Sequence, residues 1–248
     1  MIVGLISRSA PTETTTLAHG RQKEGIIMLR RFLRRIVSPR AFLVALFLVI
    51  AATSAAAYAL LPPPTPAATE TATVKIQLEN GHGSGVHIGD GFIVTAAHVV
   101  GDAKEVQLKA KGGALRKADV LWVNKASDIA LLRTSSDGLG VAKLACRAVK
   151  VGDPIVAYGN PLKIEFVAAY GKIAGEPRET GPWKSVYVTD ITTVMGQSGG
   201  PVYADGGDLV GITVGVMAAP IGFSGSLVGY GYVVPSTAVC ELLARRPA

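Results

Sequence analysis

Three side chains able to run acyl-transfer chemistry stand in separate stretches of the chain: His98, Asp128 and Ser198. Ser198 lies in Met195-Gly196-Gln197-Ser198-Gly199-Gly200-Pro201. Glycine tolerates positive φ and lets the backbone come close to a ligand, so such a loop can present a hydroxyl. The hydroxyl can act as a nucleophile, and adjacent backbone N–H groups can point at the oxyanion it creates. Taken alone, the run is equally a glycine-rich turn between strands. Two other stretches answer it. His98 ends Gly91-Phe92-Ile93-Val94-Thr95-Ala96-Ala97-His98-Val99-Val100, and Asp128 opens Asp128-Ile129-Ala130-Leu131-Leu132. In that combination the serine attacks, the histidine takes its proton, and the aspartate fixes the imidazole tautomer and stabilises the imidazolium.

The elements around these residues read as β-structure. From Thr73 onward, short apolar runs are cut by glycine and charge. Val74 to Leu78 alternates, and Ser84 to Ile88 and Phe92 to Thr95 flank a Gly89-Asp90-Gly91 turn, a hairpin signal. Val106 to Leu108, Ala118 to Val123 and Ile129 to Arg133 continue the series. A second series comprises Ile155 to Tyr158, Phe166 to Ile173, Ser185 to Thr189, Gly200 to Tyr203, Leu209 to Val216 and Gly229 to Val234. Only the stretch from Pro235 reads as a helix, with Pro235 and Ser236 at its start and arginines at its end. Two runs of about six strands predict an all-β fold of two packed six-stranded antiparallel barrels. Barrel one spans about 73–140, barrel two about 150–234, and the C-terminal helix 235–246.

Charge is unevenly placed. The net charge is +7. Up to Leu61 there are eight Lys/Arg against two Asp/Glu, and beyond it seventeen against sixteen. The basic character therefore belongs to the N-terminal segment, and a nucleic-acid partner for the main domain has no support. Residues 1–40 form a basic leader or cytoplasmic segment in which Arg30, Arg31, Arg34, Arg35 and Arg40 precede an uncharged run over 41–61. At about 1.5 Å per residue that run is long enough to cross a hydrocarbon core of roughly 30 Å. It fits two roles, a retained single-span helical anchor or a signal peptide cleaved near Ala57-Tyr58-Ala59. Met28 offers an alternative start with a short arginine-rich n-region. Both roles place the remainder outside the cytoplasm. The Pro-rich stretch over 62–72 reads as an extended polyproline linker.

From Gly83 to about Thr237 the chain resembles the trypsin-fold catalytic domain of the HtrA (Deg) family of exported bacterial serine proteases. The likeness rests on six pieces in the right order. They are Gly83-Ser84-Gly85-Val86, Val94 to Val100, Asp128 to Leu132, Val151-Gly152-Asp153-Pro154 with Tyr158-Gly159-Asn160-Pro161, the Gly196 to Pro201 loop, and Gly231-Tyr232-Val233-Val234-Pro235-Ser236. The order His98, Asp128, Ser198 is that of the chymotrypsin type, and spacings of 30 and 70 residues suit compact bacterial forms. The chain stops after the C-terminal helix, where many relatives continue into PDZ domains. The resemblance implies that Ser198 is nucleophile, His98 general base then acid, and Asp128 its orienter. It also implies an oxyanion hole made of the Gly196 and Ser198 N–H groups. Thr192 would lie at the base of the S1 pocket, with Val214, Gly215 and Val216 as its wall and as the strand that pairs with substrate. A threonine base and a valine at the entrance predict small aliphatic P1 residues such as Val or Ala.

The position before Ser198, where trypsin-type activation needs an aspartate for a freed N-terminus, is Gln197. Activity without a fixed N-terminal cut is expected, with the loop Thr193 to Gly196 ordered by substrate or a partner. His82 reads as an exposed turn residue and His87 as a strand residue. Cys146 and Cys240 form either a disulfide or two half-buried free thiols, and their spacing suggests no metal site. No cofactor is expected. The sequence thus points to an exported serine endopeptidase acting on unfolded or extended polypeptide. A catalytically silent binding module at the cell envelope is the alternative. An esterase would need a strand-turn-helix elbow around the serine, which is missing here.

Overall fold

The computed structural model describes residues 43–51, 53, 67–113, 115–221 and 224–245. The chain divides into two compact units, Met1–Pro62 and Pro63–Ala248. In the first, residues 43–51 are helical, and Leu43, Val44, Phe47 and Leu48 on this stretch are exposed. Among the described residues no helix is long and apolar enough to cross a membrane. The arginine cluster, Met28, the alanine-rich end of the apolar run and the proline run 62–66 lie outside the described residues.

The second unit holds the barrels. Six strands, β1 (Thr73–Leu78), β2 (Gly81–Gly89), β3 (Phe92–Ala96), β4 (Glu105–Ala110), β5 (Leu115–Asn124) and β6 (Ile129–Arg133), close in the order β1-β2-β3-β6-β5-β4. Closure leaves no open edge, so every strand can pair on both sides. Alternation supplies the core: Val74 and Ile76 of β1, Val86 of β2, Leu108 of β4 and Ile129 and Leu132 of β6 are fully buried. Each such side chain contributes on the order of 1.5–3 kcal/mol. The β2–β3 hairpin turns at Asp90-Gly91, whose φ values of 50° and 77° suit a two-residue turn of the mirror-image type. His87 is a strand residue, as its sequence context indicates. It is buried, its Nε2 accepts the Gly91 N–H at 3.0 Å, and its Nδ1–H donates to Gly140 O at 2.6 Å.

The second ring is built from β8 (Pro154–Gly159), β9 (Val167–Thr180), β10 (Trp183–Thr189), β11 (Pro201–Ala204), β12 (Asp208–Ile221) and β13 (Ser224–Pro235). They run β11-β8-β9-β10-β13-β12, and β11 pairs with β12 to complete the circuit. A short β7 (Lys143–Leu144), not anticipated from the sequence, lies parallel on β12. Both expected barrels are present, but several strands are longer than the apolar runs suggest. β9 and β10 continue to Thr180 and from Trp183, and β12 and β13 reach Ile221 and start at Ser224. These extensions are two-stranded arms. Residues such as Glu176, Glu179, Lys184 and Leu227 on them are exposed, so the arms lack the half-buried alternation that marks a strand in sequence. Phe166, expected in a strand, stands just before β9 with φ 55°. Part of the anticipated extended linker is helical instead, over Ala67–Thr71. Tyr203 reaches that helix, donating its hydroxyl to Thr69 O at 3.1 Å, and burial pushes its phenol pKa far up.

The C-terminal helix Ser236–Ala244 is tied down covalently. Cys240 is bonded to Cys146, which follows β7, with Cα atoms 5.9 Å apart and a sequence separation of 94. The free-thiol alternative is therefore excluded. A crosslink closing so long a loop restricts the unfolded chain by an amount worth about 4 kcal/mol in the chain-entropy view. Replacing both cysteines by serine is expected to lower the unfolding free energy by about 3–4 kcal/mol. Urea titration with and without reductant, on the native chain and the double variant, checks this; the reduced native chain should match the variant.

Candidate active site

The histidine and the aspartate are positioned by two turns of barrel one. His98 sits in the one-turn helix Ala97–Val100 that follows β3, and Asp128 sits at the β5–β6 turn. The Asn124 side chain shapes that turn by accepting the Ser127 N–H at 2.9 Å. Asp128 has φ 54°, a left-handed conformation that Asp adopts more readily than most residues. The two turns are stitched together through the backbone, Ala97 N–H donating to Asp128 O at 3.0 Å.

The carboxylate is then gripped from three directions. His98 donates its backbone N–H to Asp128 Oδ1 at 2.9 Å and its Nδ1–H to Oδ2 at 2.7 Å. Trp183, from β10, donates its indole Nε1–H to the same Oδ2 at 2.8 Å. Burial pushes the Asp128 pKa up, but the hydrogen bonds from the His98 ring, Trp183 and the His98 backbone outweigh it. The carboxyl group is held below its ordinary range. The His98 side chain is 48% exposed, whereas that of Asp128 is 10% exposed, so the imidazole presents its far nitrogen to solvent.

Ser198 is anchored through its backbone. Its carbonyl accepts the Ser84 N–H at 2.8 Å, and the neighbouring Gly199 N–H donates to Thr213 O at 2.7 Å. The seam is tight: a Cβ built on Gly83 would stand 2.5 Å from Val99 Cγ1 and 3.2 Å from Ser198 O. Thus β2 runs between the serine loop and the helix that bears His98. Ser198 is half-buried, and among the described residues its hydroxyl makes no hydrogen bond.

The serine loop carries its own scaffolding. Gly196 has φ 95°, and among the described residues the N–H groups of Gly196 and Ser198 have no acceptor. The Ser84 hydroxyl donates to Gly196 O at 2.7 Å while accepting the Asn160 N–H and Nδ2–H, each at 3.0 Å. Leu162 N–H donates to Met195 O at 2.8 Å, which fixes the peptide unit whose other end is the Gly196 N–H. Gln197 is buried, and its Oε1 accepts the Val194 N–H at 2.7 Å. An uncharged side chain thereby fills the interior position and closes the loop on itself. His82 is not an exposed turn residue: it lies half-buried in β2, and its Nε2–H donates to Asn160 O at 2.8 Å. The sequence reads it as a turn because Glu79, Asn80, Gly81 and Gly83 surround it.

Two constraints make Gly196 irreplaceable. Beside its positive φ, a Cβ there would lie 2.2 Å from Asn160 O and 2.5 Å from His82 Nε2. Gly196→Ala is expected to rotate the peptide and withdraw one N–H donor, lowering any turnover by about 10²–10³. Steady-state kinetics, with circular dichroism to show an unchanged fold, checks it.

Val214 is buried and lines a cleft of about 480 Å³ with His98, Asp128, Pro182 and Trp183. Gly215 and Val216 pair with Tyr232 and Gly231 on β13; among the described residues no strand pairs with their other edge. Thr192 is exposed in the loop after β10, and a Cβ on Gly229 would stand 3.8 Å from its Oγ1. Sequence reading missed Trp183, Ser84 and Leu162 as parts of the site. Nothing local to Trp183 announces a partner 55 residues earlier, and the Ser84 hydroxyl bonds across 112 residues to Gly196. Among the described residues no cluster of His, Cys, Asp and Glu could hold a metal ion.

Comparison with known proteins agrees with this geometry. A model of the trypsin-like peptidase domain matches residues 83–212. The chain belongs to that family, and HtrA-type proteases are among the proteins it is similar to. A Halomonas elongata protein named as a probable periplasmic serine endoprotease, DegP-like, is 32% identical over 159 residues, covering 62% of this chain and 32% of its own. The magnetosome formation protease MamE of Magnetospirillum gryphiswaldense is 33% identical, covering 62% and 21%. The chain thus spans a third or less of the length of these relatives. Among solved structures, the serine endoprotease from Yersinia pestis is 25% identical with a TM-score of 0.63, covering 74% of this chain and 66% of that one. An inactive form of Rv3671c from M. tuberculosis is 26% identical with a TM-score of 0.62, covering 77% and 95%.

Proposed function

We propose that this chain hydrolyses peptide bonds by a Ser-His-Asp acyl-enzyme mechanism in an exported compartment. The observation that carries the reading is the double hold of Asp128 on His98, through the ring Nδ1–H and the backbone N–H. That hold leaves Nε2 free to act as the base. In the first step Nε2 takes the Ser198 hydroxyl proton as Oγ attacks the scissile carbonyl. The imidazolium is stabilised by Asp128 and returns the proton to the leaving amine. The N–H groups of Gly196 and Ser198 receive the oxyanion, and water then repeats the sequence on the acyl-enzyme.

The substrate is an extended polypeptide that adds a strand to the open edge of β12 beside Val214, Gly215 and Val216. Thr192 offers no carboxylate to a basic P1 side chain, and Val216 narrows the entrance, which favours Val or Ala. Gln197 closes its own loop, so activity needs no freed N-terminus. Export to the periplasm is supported by the naming of the relatives and by the Cys146–Cys240 bond, which suits an oxidising compartment. N-terminal sequencing of the exported protein distinguishes a cleaved leader from a retained anchor.

The test is labelling by a fluorophosphonate probe combined with a P1 peptide panel. Ser198-dependent labelling with best cleavage after Val or Ala is expected. No labelling of the folded chain would assign it to the silent binding modules, and best cleavage after Arg or Phe would refute the pocket reading.

A further inference from the structure

Trp183 stands outside the three-residue machinery yet touches it. It opens β10 immediately after the tight Gly181-Pro182 turn, where Gly181 has φ 55° and Trp183 pairs with Thr180. The indole is wedged in place. Its ring lies 5.3 Å from the Tyr232 ring, and a Cβ on Gly215 would meet its Cη2 at 2.5 Å. Gly215 is therefore the strand position that makes room for it. From there Nε1–H reaches Asp128 Oδ2, the oxygen that also accepts His98 Nδ1–H. The donors to Asp128 from within barrel one are the two of His98; the third comes from barrel two. Val214, the strand residue on the same cleft, has no side-chain donor to offer in its place.

We propose that Trp183 is a positioning residue. It holds the Asp128 carboxylate in register for His98 from the opposite barrel. The proposal rests on the proteolytic reading above. A carboxylate with one oxygen shared by two N–H donors is fixed in rotation, and its charge is partly neutralised by the indole. Loss of the indole N–H concentrates charge on Oδ2 facing the imidazole. The His98 imidazolium is then better stabilised, and the acid limb of kcat/KM moves to higher pH. The other charged groups at this cleft are Asp102 and Lys125, which pair with each other at 3.5 Å on the exposed rim. Tyr232, against the indole, is the remaining titratable neighbour. All three are unchanged by the substitution.

Trp183→Phe keeps most of the ring and removes the donor. It is expected to lower kcat/KM roughly tenfold, mostly in kcat, with an upward shift of the acid limb. A purely structural role would leave the pH profile in place. The second measurement needs no turnover. Trp122 and Trp183 are the two tryptophans, so the ¹⁵N-labelled full chain gives two indole N–H signals. Asp128→Asn should displace the Trp183 signal and leave that of Trp122 unmoved. An unmoved Trp183 signal, or a folded Trp183→Phe variant with native kcat and acid limb, overturns the proposal. A native chain that cleaves no peptide while its indole responds to Asp128→Asn overturns the proteolytic reading. The Asp128–Trp183 contact would then be retained as structural.

Discussion

Ser198→Ala is expected to lower kcat/KM on a cleavable peptide by about 10⁶-fold while leaving the fold and its stability unchanged. The two halves of that expectation have separate causes. The hydroxyl is half-buried and makes no hydrogen bond among the described residues, so its removal leaves no partner unsatisfied. The effect on stability should stay within about 0.5 kcal/mol. Turnover falls because water alone replaces an oriented nucleophile, and only the N–H groups of Gly196 and Ser198 remain to stabilise an oxyanion. Peptide binding should survive, since the β12 edge proposed to receive it is untouched. A progress-curve assay, probe labelling and a binding titration on the same sample check all three points. A variant retaining activity within tenfold of native would mean that another group is the nucleophile.

Asp128→Asn should cost about 10⁴-fold in kcat, the size seen for this change in the trypsin-type template. The structure supplies a reason specific to this chain. Three N–H donors converge on the carboxylate, one on Oδ1 and two on Oδ2. An amide has a single acceptor oxygen. If its NH₂ group replaces Oδ2, it faces both the imidazole and the indole. The imidazole must then accept at Nδ1 and carry its proton on Nε2, where a base is needed. If the NH₂ group replaces Oδ1 instead, it confronts the His98 backbone N–H. Either orientation leaves donor against donor.

The same substitution should change how stability depends on acid. The folded-state pKa of Asp128 is depressed, so its contribution is fully present above the unfolded value of about 3.9. It is lost as pH falls through the lower folded value. The gap in urea midpoint between native and Asp128→Asn should therefore be widest at neutral pH and shrink below about pH 4. Glu165 also has a depressed pKa, through bonds from Lys109 and Lys75, and Asp208 through Lys143. Both are more accessible and solvent-screened, so they should add little. A gap that does not change with pH would contradict the hold on Asp128.

How legible the site was depended on distance along the chain. The alternation in β1 and the Asp90-Gly91 turn are local, and they produced the expected strands and hairpin. The long arms of β9–β10 and β12–β13 were shortened in the reading because strands exposed on both faces have no hydrophobic period. His82 was misplaced because turn-forming neighbours surround a residue whose partner, Asn160 O, lies 78 positions away.

The chain alone determined the two-barrel class and nominated His98, Asp128 and Ser198 as a set, because glycine loops and apolar strand ends are written in consecutive residues. Only the tertiary structure decided that Cys146 meets Cys240, that Ser84 steadies Gly196, and that an indole from the second barrel holds the first barrel's aspartate. Those contacts join residues far apart in sequence, and their geometry exists only once both barrels have closed.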